Sequence, residues 1–268
     1  MSLEIIQVDA FTQKPFQGNP AAVCVTAAAL PEALMQSVAA ELNLSETAFV
    51  WPQEDGFSLR WFTPAAEVDL CGHATLASAH VLWSEGHLSV DQTARFQTRS
   101  GLLTAQRQED WIQLNFPVQP VRDATVTPQL IAALGPAEIH YVGKNETNYL
   151  VVLRSQTALT NLKPNFDKVK ALPVQGIIAT SQASDQNYDF VSRYFAPAVG
   201  INEDPVTGST HCSLAPYWQD RLGKQDLVAY QISARGGELR LRCEAERIYI
   251  SGQAVTVMRG QLLLPDEP

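Results

Sequence analysis

The four cysteines, Cys24, Cys71, Cys212 and Cys243, are widely spaced and include no Cys-x-x-Cys pair. That scarcity argues against a structural zinc site and supplies no disulfide framework. Basic residues are also in short supply: 19 Lys and Arg stand against 28 Asp and Glu, a formal net charge of −9, with no basic patch anywhere. Nucleic acid, which such a surface repels, is therefore not an expected partner. Long apolar runs are missing too. The longest uncharged run, Phe16–Pro31, is broken by Gly and Pro and falls short of the roughly 20 apolar residues that a spanning helix needs. No membrane partner is expected. The opening segment carries Glu4 and Asp9 and no basic region ahead of an apolar core, unlike a secretory signal. It reads as a first strand, and the chain is expected to be cytoplasmic.

What is present is the composition of an ordinary globular protein, 46% hydrophobic and 18% charged over 268 residues, enough for one large domain or two smaller ones. The stretch Glu67-Val-Asp-Leu-Cys-Gly-His-Ala-Thr-Leu-Ala-Ser-Ala-His-Val-Leu82 stands out. A turn dense in chemically competent side chains runs through Gly72 into a helix of small residues, Ala74, Ala77, Ser78 and Ala79. A helix with so little bulk lets other backbone approach and suits enclosure by strands. Its sheltered N-terminus, with unpaired N–H groups and the positive end of the dipole, is a seat for a carboxylate or phosphate, and His73 stands beside it.

This stretch has a counterpart. Arg60-Trp-Phe-Thr-Pro-Ala-Ala-Glu-Val68 matches Arg193-Tyr-Phe-Ala-Pro-Ala-Val-Gly-Ile201 in Arg, Phe, Pro and the next Ala. Each copy leads through acidic residues (Asp69; Glu203 and Asp204) and a glycine (Gly72; Gly208) into a small-residue helix, the second loop being three residues longer. Duplication is the expected origin, with halves at 1–117 and 118–268, the last strand free to pack on the other half. The repeated Arg60 and Arg193 are read as braces for the two loops, and Glu203 as a solvated loop residue.

Elsewhere, Leu3–Val8 and Asn19–Val25 read as paired strands, and Pro31 opens a helix with Leu34, Val38 and Leu42 as its buried stripe, ended by Asn43. Strands are expected over Ser45–Trp51 and Phe57–Phe62, and three more before a linker from Pro117 to Thr127. Thr127-Pro128 caps a helix through Leu134, Gly236-Gly237 marks a hairpin, and Pro216 should kink or end the second small-residue helix. Strand-rich halves, each with one central helix, make an α+β architecture. The two helix N-termini are expected to face each other across a cleft.

At these residues the chain resembles the phenazine-biosynthesis isomerase-like family, which shares the diaminopimelate-epimerase fold. The likeness rests on Val8-Asp-Ala-Phe-Thr with Phe16-Gln-Gly-Asn-Pro-Ala-Ala-Val23, on Asn43-Leu-Ser-Glu-Thr-Ala-Phe49, on Asp69-Leu-Cys-Gly-His-Ala-Thr75, and on Glu203-Asp-Pro-Val-Thr-Gly-Ser209 with His211. It implies two similar, pseudo-twofold related domains, each a sheet wrapped around a helix, with the active site between them and no cofactor or metal. A homodimer is compatible with it. Carried over by motif, Glu46 is the acid/base, His73 and Asp204 face a small carboxylate substrate, and Gly72, Gly208, Ser209 and Ser45 bind it. Related epimerases use two cysteines; here Cys71 keeps the first position, the second turn has no Cys, and Cys212 lies past Ser209 within the helix.

The chemistry then expected is movement of a proton between carbons of an amino- or hydroxy-substituted acid, with Glu46 taking and returning it. An ordinary Glu titrates near 4.3, so desolvation beside Leu44, Ala48 and Phe49 would have to raise it. A neutral His73 that donates a hydrogen bond fits a helix N-terminus better than a cation. His211 is read equally as a ligand or a packing residue, and His80, His87 and His140 as structural. Two other readings stay open: a racemase or epimerase using Cys71, and a binding protein that keeps the site without turnover.

Overall fold

The structure, a computed structural model, describes residues 2–264. Two compact units emerge, Met1–Asn115 with Ser251–Pro268, and Phe116–Ile250. In the first, β1 (Ser2–Ala10), β2 (Asn19–Val25), α1 (Glu32–Leu42), β3 (Glu46–Gln53), β4 (Gly56–Phe62), β5 (Glu67–Val68), α2 (Gly72–Ser84), β6 (Ala94–Thr98), β7 (Gly101–Gln108) and β8 (Trp111–Pro117) follow in order. Along the sheet β1 and β2 are antiparallel, β2 and β3 parallel, β3 and β4 antiparallel, β4 and β6 parallel, and β6 and β7 antiparallel. A parallel step needs a long crossover, and each of the two carries a helix, α1 and then α2.

The second unit holds β9 (Arg122–Asp123), α3 (Pro128–Leu134), β10 (Ile139–Lys144), β11 (Asn148–Leu153), α4 (Gln156–Thr160), α5 (Phe166–Lys170), β12 (Gly176–Gln182), β13 (Phe190–Ala196), β14 (Ile201–Asp204), α6 (His211–Leu222), β15 (Asp226–Gln231), β16 (Gly237–Glu244) and β17 (Arg247–Gly252). From β10 the steps run antiparallel, parallel, antiparallel, parallel and antiparallel, the same order as in the first unit. The strand with the repeated Arg pairs in each with a short strand, Trp61 opposite Val68 and Tyr194 opposite Asp204. The three extra residues fall between those partners, in the 3-10 turn Pro197–Val199 and Gly200, whose φ of 91° only glycine adopts freely.

The final strand, β18 (Ala254–Leu263), pairs antiparallel with β1 along its length. Residues 251–264 therefore belong with the first unit, the last strand packing there instead of within the 118–268 half, as the sequence left open. Left without β18, β1 would carry a row of unpaired backbone groups along one edge. The assumed linker also contains β9, which pairs with β10.

α2 is buried on all sides: of its residues, His80 is half-buried, Ser84 is exposed, and all others are inside. A Cβ on Gly252 would lie 2.3 Å from the Phe11 ring and 2.8 Å from Leu76, so that close approach to the helix admits only glycine. Three local expectations change. Pro31 caps α1 instead of entering it, with ψ at 136° and its carbonyl accepting from Met35 N at 3.1 Å. The stripe of α1 is Met35, Val38 and Ala39, with Leu34 and Leu42 on its margins. α6 runs unbroken through Pro216. Proline deprives the carbonyl four residues back of its helical partner, and that carbonyl, Cys212 O, accepts instead from Gln119 N at 3.0 Å. Ser213 Oγ returns a bond of 2.7 Å to Gln119 O. Gln119→Pro, which removes the N–H, is expected to cost about 1–3 kcal/mol of stability for the orphaned carbonyl, read as a lower urea midpoint at unchanged slope. An unchanged midpoint would remove this account of the tolerated proline. Among the described residues no helix is long and apolar enough to cross a membrane.

Candidate functional site

The first cluster assembles on α2. Cys71 is the N-cap in extended conformation, so His73 falls in the first turn, and both are buried. Parallel pairing of β2 and β3 sets Ala21 opposite Glu46, which places Asn19 and Glu46 at neighbouring strand starts. The β1–β2 turn ahead of Asn19 is fixed by Phe16 N donating to buried Asp9 Oδ2 at 2.7 Å. It closes on Gly18, where a Cβ would lie 2.1 Å from Ala10 O.

His73 Nε2 lies 3.2 Å from Glu46 Oε2, with the Glu46 side chain 12% exposed. On the other side of the ring, Nδ1 lies 3.2 Å from Asn19 Nδ2 and 3.5 Å from Cys71 Sγ. An ionised Glu46 can only accept, which puts the proton of the neutral ring on Nε2, and the Asn19 amide turned with its NH₂ toward Nδ1 agrees with that tautomer. Burial pushes the imidazole down to about 3, and the adjacent positive helix terminus acts in the same sense. His73 is thus a neutral donor across the physiological range. Glu46, Cys71 and His73 each bring a ligand-type atom within 4.8 Å of the others. The thiol approaches one ring nitrogen and the carboxylate the other, so the ring stands between them, unlike a set converging on one ion.

The second cluster forms where β14 meets α6. Asp204 is buried and accepts from the Thr207 hydroxyl. Gly208 is buried and Ser209 half-buried ahead of Thr210, the residue before α6. His211 is a packing residue: fully buried, its Nδ1 lies 2.8 Å from Thr207 O, its ring stacks on Phe190, and burial pulls it down to about 4. Cys212, whose thiol burial pushes up to about 12, is inert at neutral pH. Ser45 is half-buried next to Glu46, as its sequence position dictates.

The two arginines make the same brace. Arg60 Nε and Nη2 each donate to Glu67 at 2.6 Å, and Arg193 Nε and Nη2 donate to Glu203 at 2.7 and 2.8 Å. Their guanidinium groups lie 5.1 Å over Phe62 and 4.8 Å over Phe195. Such forked pairs fix geometry as well as charge. Glu203 is therefore not a solvated loop residue but the acceptor of its brace. Glu67 and Glu203 stand in the same register before Gly72 and Gly208.

The sequence profile of the phenazine biosynthesis-like protein family matches residues 8–260. The chain belongs to that family. An uncharacterised isomerase of Halalkalibacterium halodurans is 52% identical over 98% of this chain and 100% of its own length. Among solved structures, a phenazine biosynthesis protein of the PhzF family from Enterococcus faecalis superposes with a TM-score of 0.94 at 42% identity, over 98% of this chain and 100% of that one. A hydroxyproline epimerase from Agrobacterium vitis, at 10% identity and a TM-score of 0.64 over 99% and 93% of the two chains, shares the fold alone. The α+β, epimerase-like architecture expected from the sequence is the one found.

Three residues of this phenazine biosynthesis-like chain that hold its two clusters were not picked out from the sequence. Asn19 sits within the Phe16–Val23 motif and Thr207 within Glu203–Ser209, so a signal was there. Gln231, whose side chain bonds to the Asp204 loop, lies in no motif.

Proposed function

We propose that the protein is a cofactor-independent isomerase that moves a proton between carbons of a small amino- or hydroxy-substituted carboxylic acid. The observation carrying this reading is the 3.2 Å approach of Glu46 Oε2 to the protonated nitrogen of a neutral, buried His73 at the N-terminus of an enclosed helix. In this mechanism Glu46 removes a proton from the substrate carbon, and the electron pair of the broken C–H bond delocalises toward the substrate carboxylate. Backbone N–H groups at Gly72 and the His73 Nε2–H stabilise the charge that develops, because they are aimed before it forms. Glu46 then returns the proton to another carbon on the same face. Asp204, Gly208, Ser209 and Ser45 are assigned to substrate binding. The name of the Halalkalibacterium relative supports the reaction class.

The test is conversion of trans-2,3-dihydro-3-hydroxyanthranilate, the substrate isomerised in phenazine formation, in D₂O, with deuterium in the product read by mass spectrometry. Isomerised product carrying solvent deuterium or an internally returned proton is expected; an unchanged substrate across a panel of cyclic and amino acids would reject the isomerase. Activity is expected to survive exhaustive chelation. Loss that zinc restores would instead assign Glu46, Cys71 and His73 to a metal.

A second reading rests on Cys71 Sγ, 3.5 Å from His73 Nδ1, as the base of a racemase. It predicts loss of α-hydrogen from a free amino acid and inactivation on alkylation of Cys71.

A further inference from the structure

Gln231, at the end of β15, is completely buried, and its amide has one allowed orientation. Thr207 N–H, which can only donate, lies 2.9 Å from Gln231 Oε1. Nε2 is therefore the opposite end, and it donates to Asp204 O at 2.8 Å and to Thr207 Oγ1 at 3.3 Å. Having accepted from Gln231, the Thr207 hydroxyl directs its single proton onto Asp204 Oδ2. The amide polarity is forced by a backbone N–H that has no alternative, and the hydroxyl donates onto Asp204 when that carboxyl is ionised. Three more bonds hold the same loop, Ser233 Oγ to Pro205 O at 2.6 Å and both Thr210 Oγ1 and His211 Nδ1 to Thr207 O at 2.8 Å.

We infer that Gln231 is a positioning residue for Asp204: through Thr207 it presents a hydroxyl proton to Oδ2, orients the carboxylate and holds it as an acceptor. Its bearing on catalysis rests on the role proposed for Asp204, whereas the clamp can be tested without turnover. Burial favours the neutral form of a carboxyl, and each fixed donor opposes that preference. Among the described residues, Tyr194 and His211 are titratable groups beside the clamp. Tyr194, opposite Asp204 in the β13–β14 pair, donates to Asn148 at 2.9 Å, and burial, then the Asp204 charge, pushes its phenol far up. His211 is held neutral by burial. Neither changes charge between about pH 5 and pH 9, so a titration in that window is that of Asp204.

The experiment follows carboxyl carbon resonances of protein labelled with ¹³C-aspartate, using Asp204→Asn to assign the signal. The native Asp204 resonance is expected to stay flat between about pH 5 and pH 9. Thr207→Val and Gln231→Leu should each move its titration upward by about one to two pH units, into the window, while Thr207→Ser, which keeps the hydroxyl, stays flat. Native-like amide spectra confirm that each variant is folded. Should Thr207→Val unfold, Thr207→Ala compared with Thr207→Ser gives the same contrast. A native resonance that titrates in the window, or Val and Leu variants as flat as the native protein, overturns the clamp. Neither result depends on turnover, so an inactive or active Glu46 variant leaves it unaffected.

Discussion

Glu46→Gln is expected to fold and bind small carboxylates like the native chain while its turnover falls by about 10²- to 10⁴-fold, the range a positioned acid/base contributes. The glutamine keeps the size of the side chain on β3 and its place beside His73 but can neither take nor return a proton. Serving both the abstraction and the return, Glu46 is expected to sit at the upper end of that range. Cys71→Ala and Cys212→Ala should each cost far less, the second because a thiol pushed up to about 12 by burial supplies almost no thiolate at neutral pH. The rate of product formation in D₂O, read by mass spectrometry for all three variants, decides the matter. A competent Glu46→Gln beside a dead Cys71→Ala would move the chemistry to the thiol.

Mild acid is expected to destabilise the protein well above the range in which carboxylates titrate. Burial lowers His73 to about 3 and His211 to about 4, against about 6.5 in an unfolded chain. Because the folded values are depressed, the unfolded chain binds protons that the native one refuses. The stabilising difference is complete above about 6.5 and is lost as pH falls from there toward about 4 for His211 and about 3 for His73. At about 1.4 kcal/mol per pH unit and group, the two imidazoles together remove on the order of 4 kcal/mol by pH 5, a large share of an ordinary domain's stability. Urea midpoints at about pH 7.5 and pH 5 measure the loss. His211→Asn, whose amide can still donate to Thr207 O, should recover about half of the difference. Midpoints that do not change across this interval would mean that water reaches both rings.

Short-range and repeated features were legible in the sequence. The Cys71-Gly72-His73 turn, the small-residue helix and the duplicated Arg-aromatic-Phe segments each depend on residues a few positions apart, or on a pattern that recurs. The brace was legible for the same reason, since Arg60 and Glu67 lie seven residues apart. Its acceptor in the second copy was obscured only by the three residues that form the 3-10 turn. α4 and α5, five residues each, are too short to show a helical period, although Ser155 and Asn165 cap them.

Other features were decided by contacts between distant parts of the chain. Asn19 meets His73 across 54 residues because α2 packs on β2, and Gln231 reaches Thr207 across 24 because β15 lies beside β13. Pro216 was expected to break its helix; Gln119 supplies the missing donor from a segment that sequence reading treated as linker. β18 lies with β1, at the opposite end of the chain, because only that pairing satisfies the β1 edge. The residue types and local turns of both clusters were thus fixed by the sequence alone. Which ring nitrogen bears the proton, how Asp204 is turned, and why α6 survives its proline were fixed by tertiary structure, since a hydrogen bond is set by the partner that folding brings near.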